Sequence, residues 1–216
     1  MIIKLLKAKD DETVVLELED NKKLYLSLEV VLKNGLRKGD ELNEDLFNFL
    51  IKENKKYFIR KKAIDLIARR PHSAFELKIK LMNRKYDKDL IDSIIKDLTQ
   101  KNILNDREFA IQYSAERTSL RKIGKQKIKS ELIKKGIPNS IIEEVLENID
   151  YADDYENAVK LAEKKYKSLH NRKTPSEKIK NKIISFLLSK GYDYEIAKQS
   201  VKKLDLTKNL WDDFED

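Results

Sequence analysis

The sequence predicts a mainly α-helical protein: three tandem three-helix repeats forming an elongated array, preceded by a small N-terminal β-hairpin or meander. Three observations lead there. Apolar residues recur with a period near 3.6 from Asn43 to Leu204, and with a period of two only in the first 28 residues. Gly and Pro are scarce, 5 and 3 among 216 residues, while charged residues make up 39% and hydrophobic ones 40%, which suits helices better than a loop-rich β protein. The helical part also aligns with itself twice.

Val14, Leu16 and Leu18 alternate with Glu17 and Glu19, and Leu24, Leu26 and Leu28 alternate with Tyr25 and Ser27. The break at Asp20-Asn21 makes these a hairpin, with Ile2–Leu6 as a possible third strand. A sheet this small needs a partner over its apolar face. A short helical stretch near Glu29–Lys33 and a loop through Gly35 and Gly39 follow. Helices are then expected over 44–69, 74–84, 88–101, 106–119, 125–135, 139–149, 152–169, 175–190 and 194–204. Ser73-Ala74-Phe75-Glu76, Asn105-Asp106-Arg107-Glu108 and Thr174-Pro175-Ser176-Glu177 each place an acceptor at a helix cap and a Glu three residues on. Gly136 and Gly191 stand where a helix ends in a left-handed turn.

Arg84–Ile91 aligns with Lys135–Ile142 and again with Lys190–Ala197. The apolar columns Leu77/Ile128/Ile183, Leu81/Leu132/Leu187, Ile95/Leu146/Val201 and Leu98/Ile149/Leu204 keep step with that alignment, at spacings of three and four that define one helix face. The expected organisation is therefore a β element at 1–42, repeats at 43–102, 103–150 and 151–204, and an acidic aromatic tail at 205–216. Units of this kind pack mainly on their neighbours and offer a long face to a partner.

The formal net charge of +8 is unevenly placed. Residues 1–50 are net −3, residues 51–135 net +13, residues 136–204 net +2 and residues 205–216 net −4. A positive field concentrated in one stretch points to nucleic acid or an acidic protein surface. Within it lie Lys61 and Lys62, then Arg69 and Arg70, then Arg117, Arg121, Lys125 and Lys129. The last four form two pairs spaced by four residues, each expected to share a helical face and to grip a phosphate backbone across one turn. Lys125 at a helix N-terminus is the one that dipole compensation does not explain. Tyr57, Tyr86 and Tyr113 interleave with these charges as candidate base-stacking rings, although Tyr113, four residues after Phe109, fits a core position better. The tail's Trp211 and Phe214 stand among acids, and two readings are open: mimicry of nucleic acid, or packing on the third repeat.

Much chemistry is excluded. The chain has no Cys, hence no disulfide, thiolate nucleophile, Fe–S cluster or Cys-based zinc site. His72 and His170 stand far apart in expected turns, outside any HExxH spacing. The glycines at 35, 39, 124, 136 and 191 form no phosphate-cradling loop. Asp150, Asp153, Asp154 and Glu156 open a helix, where carboxylates oppose the macrodipole, an explanation simpler than a nuclease metal site. A binding protein with no cofactor, no metal and no catalytic residues is expected. No apolar run approaches the ~18–20 residues of a membrane span, and the first residues lack a signal peptide's apolar core, which favours the cytoplasm.

The segments Arg70-Pro71-His72-Ser73-Ala74-Phe75-Glu76-Leu77 and Leu104-Asn105-Asp106-Arg107-Glu108-Phe109-Ala110, with Gly124, Glu131-Leu132 and Lys135-Gly136-Ile137, resemble the RecX family of recombinase regulators. The resemblance covers roughly residues 60–150; the third repeat fits the layout without a sharp motif, and the sheet looks like an extension of some members. It implies a protein that binds the RecA filament on single-stranded DNA, lying in its helical groove, and that mainly inhibits strand exchange, ATP hydrolysis and coprotease activity; an elongated groove binder of this kind would work as a monomer. It implies no catalytic residues, and the matched positions Ser73, Glu76, Leu77, Asp106, Phe109, Ala110, Gly124 and Gly136 look structural. The competing reading is a duplex-DNA binder, since three-helix units also resemble helix-turn-helix domains.

Overall fold

The computed structural model describes residues 1–172 and 176–208. Thr174 and Pro175 of the third expected cap, and the tail's Trp211 and Phe214, lie outside them. The chain divides into two compact units, Met1–Leu104 and Asn105–Asp216.

In the first unit, strands β1 (Ile3–Ala8), β2 (Thr13–Leu18) and β3 (Lys23–Ser27) form an antiparallel sheet in that order. The alternation buries Val14, Leu16, Leu18 and Leu26 on one face. Asn21 makes the expected turn in a left-handed conformation, φ 62°, and Asp20 Oδ1 accepts from the Lys22 amide at 3.1 Å. Leu28 does not continue β3. The Ser27 hydroxyl accepts from the Val30 amide and opens helix α1 (Leu28–Lys33) one residue earlier than the alternation suggests. The outer edge of β1 is closed by the loop before the next helix, through Ile3 N–H to Asp40 O and Gly39 N–H to Ile3 O.

The cover that the sheet needs is the first half of α2 (Glu44–Arg69), whose Leu46, Phe47 and Leu50 join the sheet's core. Asn54 fastens the two, accepting from Ser27 N–H at 2.7 Å and donating to Tyr25 O at 2.8 Å. The second half of the same helix turns Ile59, Ala63 and Leu66 into a separate core with α3 (Ala74–Met82) and α4 (Lys88–Gln100). An Arg60–Asp97 ion pair at 2.7 Å ties α2 to α4.

The second unit holds two further three-helix cores. One gathers α5 (Asp106–Ser119), α6 (Lys125–Lys134) and α7 (Asn139–Glu147); the other α8 (Tyr151–His170), α9 (Ser176–Ser189) and α10 (Tyr194–Lys208). Ser73 and Asn105 cap α3 and α5 as expected, accepting from Glu76 N–H and Glu108 N–H at 3.0 Å each. The columns Leu77/Ile128/Ile183 and Leu81/Leu132/Leu187 are at most 1% exposed, and burying each side chain contributes about 1.5–3 kcal/mol. The turn after the second of these columns is left-handed in all three repeats, at Lys85, Gly136 and Gly191, with φ 61°, 72° and 91°.

Candidate nucleic-acid interface

The eight cations singled out by sequence do not act alike. Arg117, on α5, has a side chain only 18% exposed: its Nε lies 2.9 Å from Glu131 Oε2 on α6, and its Nη2 donates to the Tyr113 hydroxyl at 2.6 Å. That hydroxyl donates to the same Glu131 oxygen at 2.7 Å, and the guanidinium lies over the Tyr113 ring at 4.6 Å from its centroid. Arg117 is thus a structural cation, consumed by its own repeat. Arg121 does not share its helical face, because α5 ends at Ser119 with Leu120 as its C-cap. The Arg121 side chain is 61% exposed and meets Glu116 only at 3.7 Å.

Lys125 is held inward, its Nζ donating to Ile149 O at 2.7 Å, while Lys129 is half-buried and carries no ion pair among the described residues. In the first unit Lys61 pairs with Glu12. Arg70 donates to Pro71 O and lies 3.5 Å from Glu76. Lys62 is half-buried and Arg69 is exposed at the end of α2, neither with an ion pair among the described residues. The exposed members of the set are therefore Arg121, Arg69 and Arg70, the last already engaged by Pro71 O and Glu76.

The candidate stacking rings are used internally. Tyr57 is half-buried against the sheet's core and edge-to-face with Phe58 at 5.4 Å, and Tyr86 packs on the first three-helix core. Tyr113 stacks on Phe109 at 5.7 Å, with Lys135 Nζ 4.8 Å from its centroid as well as Arg117; burial comes first in raising its hydroxyl's pKa. His72 is a buried turn residue. Its Nδ1 lies 2.8 Å from Arg70 O and its Nε2 2.8 Å from Lys80 Nζ, so the neutral ring donates to one and accepts from the other. Burial lowers its pKa and keeps it neutral.

A basic depression in the third repeat escaped the sequence reading. Lys178 and Lys182 on α9, with Lys165 from α8, surround Phe186 in a hollow of about 540 Å³ whose lining contains no acid among the described residues. Lys165 Nζ stands 5.1 Å from the Phe186 centroid. Residues 178, 182 and 186 are spaced by four, a signal visible in the sequence but hidden when charge is summed over a segment that also holds the acids of α7 and α8.

Those acids are structural. Asp150 caps α8, accepting from Ala152 N–H at 2.8 Å, and among the described residues no group of three or more His, Cys, Asp or Glu is arranged to hold a metal ion. Asp154 is 1% exposed, faced by Lys125 from α6 and by Tyr192 and Asp193 just before α10, and its Oδ1 has no hydrogen-bond partner among the described residues. This explains Lys125 at a helix N-terminus: its charge offsets a buried carboxylate. Burial nonetheless pushes the Asp154 carboxyl up to about 6, helped by Asp193 and opposed by Lys125. Because the folded value exceeds the unfolded 3.8, the ionised group penalises folding above pH ~6, and the penalty vanishes as pH falls below 3.8. The full penalty is ~3 kcal/mol. Asp154→Asn is therefore expected to raise Tm by several degrees at pH 8, with about half that gain at pH 5. Equal Tm for both proteins at pH 8, by differential scanning calorimetry, would remove this account.

Three successive three-helix cores with cations on their surfaces define a tandem three-helix repeat protein. The chain belongs to the RecX family of regulatory proteins: its residues 60–98, 105–146 and 152–201 match the first, second and third three-helix domains of RecX. A protein named Regulatory protein RecX from Clostridium perfringens (strain 13 / Type A) is 34% identical over 176 residues, 82% of each chain. One from Clostridium botulinum (strain Eklund 17B / Type B) is 32% identical over 195 residues, 90% of this chain and 91% of that one. A crystal structure of regulatory protein RecX has the same fold, with TM-score 0.78 at 21% identity over 93% of this chain and 98% of that one. RecX from Lactobacillus salivarius superposes with TM-score 0.64 at 27% identity, covering 71% and 99%. No helix among the described residues is long and apolar enough to cross a membrane.

Proposed function

We propose that this protein regulates the RecA recombinase by binding its filament on single-stranded DNA, as a monomer, mainly lowering ATP hydrolysis and strand exchange. Membership in a family of regulatory proteins supports the regulatory part. The observation that carries the nucleic-acid part is the hollow of Lys165, Lys178 and Lys182 around Phe186, with no acid among its described lining residues, which suits phosphates and a stacked base. Arg121 and Arg69 are the first contacts among the cations named from sequence, with Lys62, Lys129 and Arg70 behind them. The reading assigns no catalytic residue and no cofactor to the chain.

The test is RecA-catalysed ATP hydrolysis on single-stranded DNA as the protein is titrated in. Substoichiometric amounts are expected to lower the rate. Affinity for single-stranded DNA alone is expected to fall with salt, each phosphate contact contributing about −0.7 to the log–log slope. An unchanged rate with intact DNA binding would overturn the reading. Preference for one duplex sequence over single strands would replace it with the helix-turn-helix alternative.

A further inference from the structure

Where α5 and α7 diverge beside the start of α8, the second unit contains a cleft of about 700 Å³. Its α5 wall is a continuous stripe, Ile111, Ser114, Ala115 and Thr118, at helical spacings of three and four, so one whole face of the helix lies open to it. Val145 and Ile149 extend the apolar floor. Ser114 is 3% exposed, and neither its hydroxyl oxygen nor that of Thr118 has a hydrogen-bond partner among the described residues. A small rotation would turn either toward a donor in the cleft, recovering a hydrogen bond that the isolated chain forgoes.

The charge at the mouth has the opposite sign to the protein as a whole. Arg107 and Glu144 cancel in a two-pronged pair, with Arg107 Nε 2.9 Å and 3.2 Å from the two carboxylate oxygens. Asp150 and Asp153 remain, and neither meets a cation within ion-pairing distance among the described residues. A chain of net +8 therefore presents here a concave, apolar-floored, net-negative site. Two lining carboxylates without an ion-pair partner among the described residues disfavour a phosphate there. An alkyl stem ending in a cation fits both the floor and the mouth.

We infer that the cleft between α5, α7 and the start of α8 is a protein-docking site that receives a lysine or arginine, with its apolar neighbours, from a segment of the recombinase subunit. The inference rests on the function proposed above and divides the molecule's surfaces: exposed cations meet the nucleic acid, and this acid-mouthed cleft meets the protein. An anchor side chain in a desolvated pocket carries a disproportionate share of binding energy, so filling the pocket should weaken regulation far more than the area lost suggests.

Two variants test it in the full-length protein. Ala115→Trp places an indole in the cleft from an exposed position; Asp153→Lys reverses the charge at its mouth. Both are expected to keep the helical circular dichroism and the single-stranded DNA affinity of the wild type, while roughly tenfold more protein is needed for half-inhibition of filament ATP hydrolysis. Wild-type inhibition by both variants would overturn the docking site and leave the proposed function standing. Loss of DNA affinity on its own in Ala115→Trp would also overturn it, by assigning the cleft to nucleic acid. A wild type without effect on filaments would overturn both readings together.

Discussion

Replacing Gly124 by Ala is expected to destabilise the second unit by about 3 kcal/mol or more, lowering its Tm by roughly 6 °C or more in a chain of this size. Gly124 has ordinary backbone angles, φ −74° and ψ 162°, which any residue adopts, so conformation is not the reason. The reason is contact. A Cβ at Gly124 would lie 2.4 Å from Gly191 O, 2.5 Å from Gly191 C and 2.6 Å from Tyr192 N, and all three are backbone atoms that cannot swing aside. This close approach lets the start of α6 dock end-on against the end of α9. Gly124 N–H donates to Lys190 O and Gln126 N–H to Gly191 O, both at 3.0 Å, so the amides of one helix start meet the carbonyls of another helix end. The buried Tyr192 ring fills the same junction and its hydroxyl donates to Lys122 O at 2.8 Å. An added methyl group must open the joint, costing about 1 kcal/mol for each of the two backbone bonds and further packing around Tyr192. Gly39→Ala is the control: φ is +92° and nothing lies within 4 Å, so only the left-handed conformation is penalised, at about 1 kcal/mol. Calorimetry of the two variants, with hydrogen exchange in α9 and α10, reads the difference. A Gly124→Ala loss no larger than that of Gly39→Ala would mean the joint does not hold the two repeats together.

That joint shows where sequence reading stops. Helix starts were legible because capping is local chemistry: Ser73 and Asn105 each bond an amide three residues away. The repeat was legible because burial imposes a period, and the columns through Leu77 and Leu81 are at most 1% exposed in each three-helix core. Leu28 marks the limit even there, since alternation continued past the residue whose hydroxyl starts a helix. In the sequence Gly191 marks a helix end and Gly124 only a matched structural position. Nothing local says that they touch, because the requirement arises only when α6 and α9 meet. Cations were counted by formal charge, which does not distinguish Arg117, spent on Glu131, from Arg121, left to solvent.

The second large effect follows from that distinction. Arg117→Glu is expected to cost about 3–5 kcal/mol, whereas Arg121→Glu leaves the stability within about 1 kcal/mol of the wild type. At position 117 the substitution removes the cation from a mostly buried triad and sets a second carboxylate beside Glu131, with the Tyr113 hydroxyl between them. Lys135, already 4.8 Å from the Tyr113 centroid, is a remaining cation beside the triad and limits the loss. At position 121 only a solvent-screened contact of 3.7 Å is lost. Arg121→Glu should instead act on binding, weakening single-stranded DNA affinity and reducing its salt slope by about 0.7 for each phosphate contact removed. A double Arg117→Glu/Arg121→Glu variant would mix lost stability with lost binding, so the two effects must be measured apart. The charge-exchanged pair Arg117→Glu/Glu131→Arg separates them further: it restores opposite charges across α5 and α6 and should recover a substantial part of the lost stability. If Arg117→Glu melts with the wild type, the triad is not what fastens α5 to α6. If Arg121→Glu binds DNA with unchanged affinity and salt slope, the exposed cation of this turn faces no phosphate, and the contact must be sought at the Lys178–Lys182 face.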